Sequence, residues 1–316
     1  MKPIVRVIAH TTFLGVPPDL LGIAPEKVGT PEGSDALRCQ RGAIWLKEQD
    51  RGTDAERLVE CAGRTCYDSY GRGRPSTDYH KHIMDVDHGS VTEHAWISFF
   101  LSGISRGLTH ELVRHRVGVA ISQRSTRYVD ENESAWMWHP LIQAFVAQEE
   151  PKRAGNGELV ELGMDRECKH VKSTADQMYK KVVAKLEEWL TTRGTDRLTA
   201  RKQARGAARG LLGNALMTEM VWSCNIRALK TVLAQRAKAA ADAEIRVLAN
   251  MLYEAALPHW PTYLGCYEKR ECPDGIGYEL VIPPKPEILN EREKTLMTEI
   301  AELKSELRIL KNGATG

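Results

Sequence analysis

A chain of 316 residues, 42% apolar and 27% charged, can bury one large core or two ordinary ones. Its formal charge of +2 excludes a surface coated evenly for nucleic acid, so any preference for anions is local. No apolar run approaches the ~18 residues of a membrane span, and seven cysteines without a C-x-x-C pair read as reduced thiols of a cytoplasmic protein.

Residues 4–9, IVRVIA, predict a strand. Arg6 and His10 interrupt this apolar start, so a secretory leader is not expected. Four prolines and four glycines in 15–34 predict an irregular insert, extending to about residue 50. Residues 54–66 have helical periodicity, and SYGRGRPST (69–77) predicts a loop from which Ser76 or Thr77 caps a short helix through Met84. HAWISFFLSG (94–103) is aromatic, β-branched and short, as a buried strand is. Ser105 then caps a helix, SRGLTHELVRHR, which Gly118 and the β-branched residues of VGVAIS bring to an end. Residues 146–194 read as a charged helical stretch broken at 155–157 and ended near Gly194. Arg201, Arg205 and Arg209 then recur at the spacing of one helical face. MTEMVWSC (217–224) alternates like a strand, Asn225 caps NIRALKTVLAQRAK, and a further helix runs to about Leu257 before Pro258. After Pro283, Pro284 and Pro286, the residues Leu296, Ile300, Leu303, Leu307 and Leu310 form a short heptad seam.

Charge is concentrated in two places. RHRVGVAISQRSTRYV (114–129) holds four arginines and one histidine with no acid, and 197–238 holds nine lysines or arginines against Glu219 alone. Solvated helix faces interleave both signs, so one-signed segments point to an anion site. The milder reading is that Arg114–Arg116 complement the negative end of a helix dipole. Neither G-x-x-x-x-G-K nor G-x-G-x-x-G occurs, so a nucleotide would be held by side chains. A basic, coiled-coil-containing nucleic-acid-binding protein is the alternative from another class. Against it, aromatic residues make up 6% and only Tyr128 stands within the basic motif. His80, His82, His88, Glu93 and His94 crowd one segment without H-E-x-x-H or zinc-finger spacing, and no metal site is expected.

Five segments in order, RTCYDS (64–69), HGSVTEH (88–94), Arg114-His115-Arg116 with STRY (125–128), ARGAARGLL (204–212) and VWSCNIRALKTVLAQRA (221–237), resemble the flavin-dependent thymidylate synthases. The resemblance covers about residues 55–270. In that family seven residues separate the triplet from its serine. Here eight, 117–124, separate Arg116 from Ser125, which places an extra residue in VGVA. The resemblance implies an α+β fold, a small, largely antiparallel sheet with long helices. It implies a single catalytic domain over 1–285 and a homotetramer whose sites are shared between subunits, while the heptad seam, outside the resemblance, predicts an amphipathic helix over 286–316.

The activity implied is reductive methylation of dUMP to dTMP. Methylenetetrahydrofolate is the carbon donor, reduced FAD the hydride donor, and NADPH reduces the flavin; neither nucleic acid nor membrane is a partner. C5 modification of another pyrimidine nucleotide, by methylation or hydroxymethylation, is the near alternative. Carried over residue by residue, Arg236 and Ser125 are catalytic. Arg236 activates the pyrimidine, since uracil C5 is a poor nucleophile until an arginine stabilises charge on the ring oxygens. Ser125, among cations and with no base beside it in sequence, reads as a phosphate ligand rather than a nucleophile. Glu111, Arg114, Gln123, Arg124, Thr126, Arg127 and Arg209 complete the dUMP set. His88, Ser90, Glu93, Arg114, His115, Arg116, Ser122, Asn225, Arg227 and Thr231 match the FAD set, where cations favour a reduced, anionic flavin. No cysteine lies in the Pro-Cys-His context of the unrelated, cysteine-dependent thymidylate synthase.

Overall fold

The computed structural model describes residues 2–14, 52–67, 69, 74–148, 152–153, 159–160 and 163–283. The expected insert over 15–50 and the heptad tail over 286–316 lie outside the described residues.

Strand β1 (Ile4–His10) is followed by α1 (Asp54–Tyr67), α2 (Ser76–Asp85) and a 3-10 turn (Gly89–Glu93). Next come β2 (Trp96–Ser105), α3 (Arg106–Leu112) and β3 (Val119–Gln123). Helix α4 (Pro140–Gln148) leads to the paired strands β4 (Lys152–Arg153) and β5 (Leu159–Val160), then to the long α5 (Met164–Thr191) and α6 (Arg197–Ala208). The chain continues through β6 (Met217–Asn225), α7 (Ile226–Arg236), α8 (Ala243–Ala256), the short α9 (Pro261–Leu264) and a hairpin of β7 (Glu268–Glu271) and β8 (Tyr278–Val281).

Four strands form an antiparallel sheet in the order β1-β2-β6-β3. Period-two alternation decides its faces. Ile97, Phe99 and Leu101 sit opposite Cys224, Trp222 and Met220, and all six are buried. Leu229, Val232 and Leu233 of α7 and Leu248 and Leu252 of α8 join them in one core, with the rings of Phe99 and Trp222 stacked at 6.0 Å. Burying each such side chain contributes about 1.5–3 kcal/mol. The other face is polar where β2 meets β6: Ser98 and Ser223 hydroxyls lie 2.7 Å apart, and Ser102 donates to Glu219 at 3.1 Å.

Two helices grow directly out of these strands. Ser105 ends β2, and its Oγ accepts the Leu108 N–H at 2.9 Å; Asn225 ends β6, and its Oδ1 accepts the Ala228 N–H at 2.9 Å. Both predicted caps therefore form, because N-cap bonding needs only the next three residues. Trp96 pairs with Asn225 and Ser105 with Met217, so α3 and α7 leave from opposite ends of one strand pair.

One local expectation fails. Neither Ser76 nor Thr77 caps α2: the cap position is Pro75, at φ −53° and ψ 155°, with no side-chain bond. The fixed proline φ suits a helix start without a hydroxyl cap. Of the charged stretch 146–194, Met164–Thr191 is helical as expected, while the described residues 152–153 and 159–160 pair antiparallel as β4 and β5; the expected break at 155–157 lies outside the described residues.

Candidate functional site

A cavity of about 280 Å³ is lined by Glu93, Arg114, His115, Arg116, Val117, Asn225, Arg227, Ala228, Thr231 and Gln235. Seven of the residues expected around FAD thus converge, from the 3-10 turn, the turn after α3 and the start of α7. Val117, Ala228 and Gln235 were not anticipated. For Ala228 and Gln235 a signal existed: 227, 228, 231 and 235 share one face of a helix. His88, Ser90 and Ser122 do not line the cavity. His88 is exposed and stacks on Tyr67 at 6.4 Å, while Ser90 and Ser122 are exposed on the 3-10 turn and β3.

Glycine makes this convergence possible at two positions. Gly118 stands at φ +68°, and its carbonyl accepts the Asn225 N–H at 3.1 Å. A Cβ there would lie 2.6 Å from the Asn225 amide nitrogen, so only glycine lets the turn close on the cap of α7. A Cβ on Gly89 would lie 3.1 Å from Arg227 Nε, and Arg227 itself donates to Glu93 at 2.6 Å.

Arg236, at the end of α7, is held from two sides. Its Nη1 donates to Glu111 Oε2 at 2.6 Å and its Nε to His115 Nε2 at 3.1 Å. Acceptance at Nε2 places the imidazole proton on Nδ1. Burial, and next the Arg236 charge, hold the His115 pKa below its ordinary value.

The predicted phosphate set lies elsewhere on the same chain. Val119 pairs with Cys224 and Gln123 with Met220, so the two ends of β3 are about 13 Å apart. None of Gln123, Arg124, Ser125, Thr126, Arg127 or Arg209 lines the cavity. Gln123 Nε2 donates inward to Thr109 at 3.1 Å and Thr218 at 3.3 Å. Arg124 lies 3.4 Å from Glu131 and 3.9 Å from Glu219, and Thr126 is buried. Ser125 Oγ accepts the Arg127 N–H at 3.4 Å, while Arg127 is exposed and passes close to Gly206. Arg209 is exposed, and its charge is felt by Arg106, whose pKa burial lowers first. Arg106, bonded to the Arg124 carbonyl at 3.4 Å, belongs with this patch and was not singled out by the sequence.

Ion pairing separates free cations from occupied ones. Arg201 pairs with Glu187 at 3.6 Å and Arg205 with Asp130 at 2.8 Å, so two of the three arginines anticipated on one helical face are ion-paired. Among the described residues, Arg114, Arg116, Arg127 and Arg209 have no acidic partner within 4 Å. Of the crowded histidines, His80 is buried and meets Tyr263 Oη at 2.6 Å. Among the described residues no three metal-ligating side chains come together, and no helix is long and apolar enough to cross a membrane.

Residues 49–262 match the family described as thymidylate synthase complementing protein. The flavin-dependent thymidylate synthase of Mycolicibacterium gilvum is 39% identical over 216 residues, 65% of this chain and 75% of its own length. That of Mycobacterium sp. strain KMS is 39% identical over 239 residues, 71% of this chain and 85% of its own. A solved structure of thymidylate synthase X from Helicobacter pylori, with FAD and dUMP, covers 66% of this chain at 23% identity and a TM-score of 0.42, a likeness too loose to place any residue.

Proposed function

This chain belongs to the flavin-dependent thymidylate synthase family, and we propose that it converts dUMP to dTMP, taking a methylene group from methylenetetrahydrofolate and using FAD that NADPH reduces. The observation that carries this reading is the convergence of Arg114, His115, Arg116, Asn225 and Arg227 on one cavity from segments more than a hundred residues apart in sequence. The donor set fits FAD: the guanidinium groups of Arg114 and Arg116, without acidic partners among the described residues, suit a pyrophosphate, and the glycines at 89 and 118 leave room for the Arg227 and Asn225 side chains to pack against them. In this reading a second chain completes the site, within the homotetramer that the family resemblance implies. Free thiols among the described residues support a cytoplasmic setting.

In this reading Arg236 meets the pyrimidine. Glu111 and His115 fix its guanidinium before substrate arrives, so little reorganisation accompanies the reaction. Charge developing on the ring oxygens is stabilised there as C5 bonds to the methylene carbon, that carbon's bond to a folate nitrogen breaks, and the C5 proton leaves to water. Bound FAD, once reduced, supplies the hydride that completes the methyl group. Ser125, with the backbone N–H of Thr126, holds the phosphate, and Arg127 and Arg209 neutralise it; the Arg124 N–H is already donated to the Glu219 carbonyl at 2.9 Å. Arg114 and Arg116 favour negative charge on whatever fills the cavity beside them.

The test is to load the purified protein with FAD, reduce it, and add dUMP with methylenetetrahydrofolate. Reoxidation of the flavin with formation of dTMP is expected. Intact, flavin-loaded protein that makes no dTMP would overturn the assignment, and a hydroxymethylated product or turnover of another pyrimidine nucleotide would redirect it.

A further inference from the structure

A second cavity, also about 280 Å³, lies between the start of β1, the end of β2, the approach to α4 and the first turns of α8. Met137, Trp138, Pro140, Val247 and Met251 give it soft apolar walls, and Glu244 brings one carboxylate into it. Its rim at Gly103 is tightly built: φ is +66°, and a Cβ there would lie 2.7 Å from the Lys2 carbonyl oxygen.

The carboxylate lacks a counter-ion. Both Glu244 oxygens accept from Ser105, Oε1 from the N–H at 2.9 Å and Oε2 from the hydroxyl at 2.6 Å. A carboxylate has about four acceptor sites, so each oxygen keeps one free. Among the described residues no cation lies within 4 Å of it. His139, whose field reaches it, is bonded to Asp242 at 3.1 Å, and Lys2 at the rim is exposed and forms no ion pair. The N-terminus of α8 offsets part of the burial cost. Burial nevertheless raises the Glu244 pKa, with Ser105 acting against it. An apolar chamber with an unmatched carboxylate and a tryptophan in its wall is the chemistry that recognises an organic cation.

We propose that this cavity binds a compact organic ammonium, its apolar body against Trp138, Met137 and Met251 and its charge on Glu244. The site is distinct from the one assigned to FAD, and it needs no turnover to be seen. Isothermal titration of the full-length, FAD-loaded protein with phenethylammonium, and with 2-phenylethanol as neutral counterpart, tests it. One saturable site per chain is expected, with the ammonium bound about tenfold tighter than the alcohol. Glu244→Gln, which keeps an acceptor toward Ser105, removes that preference. Val247→Phe fills the chamber and abolishes both titrations. Absence of saturable binding, equal affinity for the two probes, or a preference that survives Glu244→Gln overturns the proposal. If Glu244→Gln does not fold, the comparison of probes in the native protein together with Val247→Phe decides.

Discussion

Arg236 and its two partners show how a single side chain depends on distant segments. Glu111 lies 125 positions away in sequence and His115 lies 121. Replacing Arg236 with alanine removes one preorganised charge from the developing oxyanion, a change that typically costs about 10²–10³ in kcat. We expect that loss in dTMP formation at saturating dUMP, with flavin absorbance retained, because Arg236 does not line the cavity. His115 gives a second prediction. Its folded pKa lies below the ordinary 6.5, so the unfolded chain binds more protons between the two values. The stability it contributes is present above pH 6.5 and lost as pH falls through the lowered folded value. The bond from Arg236 goes in the same window, because a protonated Nε2 no longer accepts. An NMR titration of His115 should show a midpoint under 6.5. In Arg236→Ala it should move up but stay below 6.5, since burial is the larger cause. The identities of these residues were legible in the sequence, whereas the Glu111–Arg236 bond was not, because only the strand pairing brings its ends together.

At the scale of elements, Gly118 and Asn225 form a coupled joint between the turn after α3 and the start of α7. Loss of the Asn225 cap costs about 1 kcal/mol. Alanine at Gly118 costs about 1–2 kcal/mol for its left-handed φ, and the added Cβ also meets the Asn225 amide. Asn225→Ala relieves that meeting. The double variant should therefore be less destabilised than the sum of the singles, in a urea-unfolding cycle, by more than the ~0.5 kcal/mol expected of independent sites. Such joints were legible where the chemistry is local: Ser105 and Asn225 announce their helices within three residues. The cap of α2 was misjudged because Pro75 sets the backbone without a side-chain bond. The pairing of Arg201 and Arg205 was not legible, because Glu187 and Asp130, which occupy them, come from other segments.

For the whole molecule, the proposed sharing of sites makes assembly a condition of activity. The heptad spacing of Leu296, Ile300, Leu303, Leu307 and Leu310 covers only about two heptads, and we propose that it reinforces an assembly rather than creating one. Deleting 287–316 should shift tetramer dissociation to higher protein concentration, measured by sedimentation velocity across a dilution series, with activity per chain falling in parallel. An unchanged mass and stability on dilution would count against that role. The antiparallel register of β2 with β6 reaches further. Both helices that hold Arg236 and Glu111 start on those two strands, and Trp96 meets Asn225 across a span of more than a hundred residues. Closing so long a loop is slow relative to helix formation. The guanidinium is therefore seated late in folding, after the local helices and together with the sheet, and a nascent chain becomes competent for chemistry only once its last central strand has been made.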